Sequence, residues 1–162
     1  MFFDQFDKDA MRLIMDAQTE ARNMGSKTIG TDHLLLAASL KHSDVREALE
    51  KAGLSNQVLR KSITGNDAFA LPQLDKIFAA TSKDELLPFA LDTERSLRLA
   101  LESKAGRLVS TKVLIVSVVE DVTATPNEES AARALLEALD VSHENLLVEL
   151  RAERELVGAG AR

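Results

Sequence analysis

The chain has 162 residues and sets 20 Lys plus Arg against 26 Asp plus Glu, a formal net charge of -6. Its field repels phosphate backbones and anionic head groups, which argues against nucleic acid or a membrane surface as partner. Cysteine is absent, removing disulfides and thiolate zinc sites and fitting a reducing compartment, while the length suits one compact domain with a buried core.

Met1 to Lys8 mixes acidic and aromatic side chains, unlike a signal peptide, and no stretch approaches the roughly 20 apolar residues that span a bilayer. From Asp7 to Asn23, Met11, Ile14, Ala17, Ala21 and Met24 recur at helical spacing, predicting an amphipathic helix capped by Asp7 and closed by Gly25. Thr31 is expected to cap a second helix, whose run from Leu34 to Leu40 is apolar nearly all round, as at the centre of a bundle. Ser43 starts a third helix, with Val45, Ala48, Leu49 and Ala52 on one face and Gly53 at its end. A fourth starts at Ser55, turns Val58, Leu59 and Ile63 inward, and stops at Gly65.

Residues 66–88 form a connector longer than most within compact domains, yet it carries Phe69, Leu71, Leu74, Ile77 and Phe78. A solvated linker does not normally hold so many large apolar groups. They either fold back over the seam between the two halves, with Leu74 to Ala80 as a short helix, or Phe69, Leu71, Ile77 and Phe78 form an exposed docking patch.

After Pro88 the same grammar returns. A helix beginning near Asp92 turns Leu97, Ala100 and Leu101 inward, and Val109 to Ile115 lines up with Ile29 to Leu35, so that Thr111 answers Thr31. Val113 to Val119 is rich in β-branched residues and by itself leans towards a buried strand. Its place opposite Leu34 to Leu40 overturns that, since a lone strand leaves its backbone without a ladder partner. Thr125-Pro126-Asn127-Glu128 has the form of a capping box with proline at the first helical position, predicting a helix from there through Leu139. Leu135 to Ser142 echoes Ala48 to Ser55, and a last amphipathic helix runs through Leu146, Leu147 and Leu150. The charges from Arg151 to Glu155 read as a solvated face, and residues 156–162 as a frayed tail. The pattern is an internal duplication, residues 6–65 and 89–155, within one domain covering 1–162.

Phe6, Ala10, Ala17-Gln18-Thr19-Glu20-Ala21-Arg22, Gly25, Ile29-Gly30-Thr31-Asp32-His33-Leu34-Leu35-Leu36 and Ala52-Gly53-Leu54 together resemble the Clp N-terminal repeat. Identities are strong in the first half; the second half matches by pattern and spacing. The resemblance implies an all-α, pseudo-twofold bundle of about eight helices built from two four-helix repeats. It further implies a non-catalytic protein-binding module, either in front of the ATPase modules of a Clp unfoldase or free-standing on the Clp protease core. The partners implied are the Clp protease core, a Clp AAA+ unfoldase, or adaptor and substrate proteins, in the cytoplasm or plastid stroma. The long connector and the altered second repeat favour the free-standing form. Met1-Phe2 followed by Phe6 resembles the opening of complete bacterial-type unfoldases and favours the other.

Asp32 matches the acidic residue of the family's G-T-E-H motif, which in some bacterial relatives helps to bind phosphorylated arginine. Thr31, Asp32 and Lys112 are therefore the candidate binding residues. Lys112 reverses the charge at the position matching Asp32, and Ser110 replaces the glycine, so at most half of such a site is expected. The plainer reading of Asp32 is an acid favoured by a helix N-terminus. An enzyme using Thr31-Asp32-His33 is the alternative function. Against it, neighbours on a helix do not face one another, no nucleophile accompanies them, and Val113 replaces the histidine in the second copy. Gly25-Ser26-Lys27-Thr28 imitates only the tail of a phosphate loop. His33, His42 and His143 without cysteine make no ligand spacing, so neither a metal nor a cofactor is expected.

Overall fold

The computed structural model describes residues 2–40, 43–64, 87–104 and 106–160, with the side chains of 2, 3 and 153–160 left aside. The connector residues Phe69, Leu71, Ile77 and Phe78 lie outside the described residues, as do Gly65 and His42.

Among the described residues, eight α-helices follow a short 3-10 turn at Phe2–Gln5: α1 (Lys8–Asn23), α2 (Thr31–Ala38), α3 (Arg46–Lys51), α4 (Asn56–Thr64), α5 (Leu91–Ser103), α6 (Thr111–Ala124), α7 (Ala131–Ala138) and α8 (His143–Gly160). The stretch from Val113 to Val119 lies within α6, so the repeat outweighs β-propensity. The reason is burial: Leu114, Ile115, Val118 and Val119 are enclosed by other helices, as Leu34, Leu35 and Leu36 are in α2. The helical backbone of α8 continues to Gly160.

The two halves exchange contacts reciprocally. α1 packs on α2 as α5 packs on α6, α3 packs on α8 as α7 packs on α4, and α1 meets α6 as α5 meets α2. Two isolated parallel bridges mark the same relation, Phe6 with Val109 and Phe89 with Ile29. Each bridge joins the entry of one repeat to the residue two positions before the second helix of the other. Their hydrogen bonds match: Asp7 N–H to Val109 O at 2.9 Å and Val109 N–H to Gln5 O at 2.7 Å, against Ala90 N–H to Ile29 O at 3.0 Å and Ile29 N–H to Pro88 O at 2.9 Å. One buried apolar cluster runs through both halves.

Helix ends follow the sequence in most places. The Asp7 carboxylate accepts the Ala10 N–H at 2.8 Å, and Gly25 (φ 74°) and Gly53 (φ 91°) adopt the left-handed conformation that closes α1 and follows α3. Three expectations need correction. Thr31 does not cap α2: Gly30 is the cap residue, and the Thr31 hydroxyl reaches across the seam instead. Ser43 does not begin α3, which starts at Arg46, although its hydroxyl accepts the Val45 N–H at 3.3 Å.

Nor does Thr125 to Glu128 open a helix. Thr125 is the C-cap of α6, its hydroxyl donating to Asp121 O at 2.7 Å, and Ser130 caps α7 by accepting the Arg133 N–H. The intervening turn is held by the Arg133 guanidinium, which donates to the carbonyls of Val122 (2.7 Å), Thr125 (2.6 Å) and Glu128. Proline is as natural just past a helix end as at a helix start, and here the first meaning holds.

Candidate functional site

The duplication brings two seams between the repeats, and the richer one forms where α2, α5 and α7 start. Asp92, in the first turn of α5, is buried at 7% exposure. Its Oδ2 accepts the Thr31 hydroxyl at 2.7 Å and the Ala131 N–H at 2.8 Å, and its Oδ1 accepts the Thr93 N–H at 2.8 Å. Thr31 Oγ1 in turn accepts the Ala132 N–H at 2.8 Å, and Thr93 Oγ1 donates to Ile29 O at 2.8 Å. The Asp92 carboxylate and the Thr31 hydroxyl thus satisfy the first N–H groups of α7, Thr93 ties α5 to the approach to α2, and three helices are stitched together.

Asp32 sits one residue into α2 with its carboxylate folded back, Oδ1 accepting the His33 N–H at 3.0 Å and the side chain 23% exposed. Gly30 leaves it room. A Cβ at that position would collide with Asp32 Oδ1. His33 is buried, and its Nδ1 accepts the Gly30 N–H at 2.9 Å, which places the ring proton on Nε2. The 3.5 Å approach of Nδ1 to Asp32 Oδ1 is therefore no ion pair. His33 closes the helix start and Asp32 lies beside it, so the pair does not form an acid-base dyad.

Above this network lies an open groove of about 1010 Å³. Asp32, Leu91, Arg95, Arg133 and Glu137 line it, with the turn 126–130 along one side. Leu91 is 76% exposed. Arg95 is held by Asp121 at 3.2 Å and donates to Glu129 O at 2.9 Å, and Arg133 is bound to the three carbonyls named above.

The second seam repeats the first with different chemistry. By the register of the bridges, Asp9 stands where Asp92 stands and Arg12 where Arg95 stands, and both line a small cavity with Thr111 and Asp44. That cavity has about 10 Å³ of free space. The Asp44 carboxyl is pushed above its ordinary range by partial burial, then by the charges of Asp9 and Asp7 and a hydrogen bond with Asp9, while Lys112 pulls it down. Of the residues singled out from sequence, Thr31 and Asp32 thus share the open seam and Lys112 belongs to the closed one. Asp92, Leu91, Arg95 and Arg133 were missed. Asp92 was legible as the echo of Asp9, each three residues after the phenylalanine that opens its repeat. Among the described residues no cluster of side chains is arranged to hold a metal ion, and no helix is long and apolar enough to cross a membrane.

Comparison with known proteins gives a consistent picture. The family model for the Clp repeat (R) N-terminal domain matches residues 5–125. Proteins described as the ATP-dependent Clp protease ATP-binding subunit ClpA homolog, from Porphyra purpurea and from Pyropia yezoensis, are each 32% identical over 146 residues, or 86% of this chain. The chain spans only 16% of the length of either relative. Among solved structures, the N-terminal domain of the caseinolytic protease associated chaperone ClpD from Arabidopsis thaliana superimposes with a TM-score of 0.68 at 20% identity. That match covers 96% of this chain and 97% of the other, and at such identity it speaks for the fold alone.

Proposed function

This chain belongs to the Clp repeat N-terminal domain family, and from that premise we propose that it is a non-catalytic protein-binding module of the ATP-dependent Clp protease and chaperone system. It docks on Clp subunits, the protease core or an AAA+ unfoldase, or receives adaptor and substrate proteins. The observation that carries this reading is the open groove of about 1010 Å³ over the Thr31–Asp92 network, bordered by an exposed Leu91. A reacting centre needs groups converging on one point with free lone pairs or protons, whereas Thr31, His33 and Asp92 are engaged in holding helices together. The reading carries a compartment with it, the cytoplasm or plastid stroma.

Surface plasmon resonance of the full chain against purified Clp core, unfoldase and adaptor proteins tests it. Binding to at least one of them, lost in a Leu91→Ser/Asp32→Lys double variant that melts like the parent, is the expected result. Failure to bind any Clp component removes the proposal. The connector supplies a second contact in this reading: Phe69→Ala and Phe78→Ala should weaken binding without moving the melting temperature, and a lowered melting temperature assigns those residues to the seam instead.

A further inference from the structure

We infer that α1 is a two-point clamp for the chain that joins the repeats. Glu20 holds the incoming stem through Arg60, and Gln18 holds the outgoing stem at Leu87. Residues 65–86 are then surplus length presented to the apolar surface of a Clp partner, not the tie between the halves. This rests on the reading of the chain as a binding module and names the residues that set where its second contact leaves and rejoins the fold.

The outgoing stem is fixed by hydrogen bonds. Gln18 is 4% exposed, and its Oε1 accepts the Leu87 N–H at 2.7 Å, while the carbonyl of Pro88 accepts the Ile29 N–H at 2.9 Å. The incoming stem is fixed by charge. Glu20 is 8% exposed, and its Oε2 stands 2.9 Å from Nη1 of Arg60 in the last half of α4. Both side chains of that pair are largely withdrawn from water, so salt screens it less than a surface pair. α4 buries only Leu59 outright, and the Asn56 amide donates to Ser39 Oγ at 3.0 Å at its start, so the ion pair is the polar tie nearer its end.

The second copy lacks all three residues. In the register of the bridges, Leu101 stands where Gln18 stands and Ser103 where Glu20 stands. Asp140 shares the left-handed backbone of Gly53, which puts Leu147 at the place of Arg60. Buried polar groups cost stability unless they meet partners. Here they occur only in the copy that the joining segment leaves, and each meets a stem of that segment.

Length supplies the last argument. Gln18 and Glu20 leave α1 about 200° apart, on opposite flanks. Side-chain lengths and the two contact distances hold Thr64 and Leu87 within about 35 Å of each other, whereas residues 65–86 reach about 75 Å when extended. Half of that chain would join the repeats. The rest carries Phe69, Leu71, Leu74, Ile77 and Phe78, a load that a simple tie does not need.

Two variants test this by thermal melting, amide exchange and binding to the purified Clp core, unfoldase and adaptor proteins. In the first, a glycine-serine run of about ten residues replaces 66–85, still long enough for the gap. It should melt within about 3 °C of the parent and bind at least about tenfold more weakly. In the second, Gln18→Leu/Glu20→Ser installs the second copy's residues in the full chain. Amide exchange should quicken at least about tenfold at 60–64 and at Leu87 and stay unchanged in α2, α5 and α6, with binding about three- to tenfold weaker. A shortened chain that fails to fold, or melts more than about 10 °C lower, would place 66–85 in the core and overturn the inference. Exchange unchanged at both stems, or faster throughout the molecule, removes the clamp. If shortening leaves binding intact, the presenting role is wrong and the module reading stands on the open groove. If the parent chain binds no Clp component, the module reading and the presenting role fall together, and melting and exchange still decide the clamp.

Discussion

Asp140 has φ 54°, left-handed backbone that disfavours a side chain, in the place where the first repeat has Gly53. The hydrogen bonds there are the same in both copies: Leu54 N–H to Leu49 O at 2.8 Å and Gly53 N–H to Glu50 O at 3.0 Å, against Val141 N–H to Leu136 O at 2.9 Å and Asp140 N–H to Glu137 O at 3.1 Å. Asp140→Gly should therefore raise stability by about 0.5 to 1 kcal/mol, read as a higher denaturant midpoint with unchanged slope. Asp44 offers a pH-dependent counterpart. Its folded pKa is raised, so its contribution is neutral below the ordinary carboxylate value and turns unfavourable as pH climbs through the folded one. Asp44→Asn should thus stabilise at neutral pH, by less than about 1 kcal/mol because the residue is exposed, with the gain vanishing in acid. Melting curves across that range check it, and an equal gain at every pH would show that charge is not the cause.

Helices were legible wherever burial and local chemistry agree. Asp7, Gly25 and Gly53 mark ends that the structure keeps. Val113 to Val119 was readable only through its partner segment, because a β-branched run carries no period of its own and α6 is held by the helices around it. The turn after α6 was misread because Thr125-Pro126 is ambiguous between stop and start, and the residue that decides, Arg133, acts from the next helix. Arg133→Met is expected to lower stability by about 1 to 2 kcal/mol. It should also speed amide exchange at the α6 end and along 126–130, which a merely peripheral arginine would leave unchanged. Because that turn forms one side of the groove, the same variant should alter binding of a Clp component there.

At the scale of the whole molecule, the duplication and its bundle were visible in the echo of Ile29–Leu35 by Val109–Ile115. The division of labour between the seams was only half visible. Thr31, Asp32 and Lys112 were readable one by one, since each sits at a matched position of the repeat. Their assignment to opposite seams needs the crossing of the halves, which no local pattern encodes: Thr31 finds Asp92 sixty-one positions away, and Ala132 a hundred and one. Leu91 was missed because an isolated leucine at a helix start is unremarkable until the groove beside it is seen.

The reciprocal bridges make each repeat dependent on the other for its own main chain. Ile29 and Val109 are each fully buried, and the N–H and C=O of each are satisfied only from across the duplication. Severing the chain within 66–86 should accordingly yield two fragments that stay largely unstructured alone and regain helical circular dichroism when mixed at equal molarity. A first fragment that folds unaided would mean the halves are separable after all. If complementation succeeds, a single copy of this unit needs a second copy to complete its main chain, the same exchange that would close a symmetric homodimer.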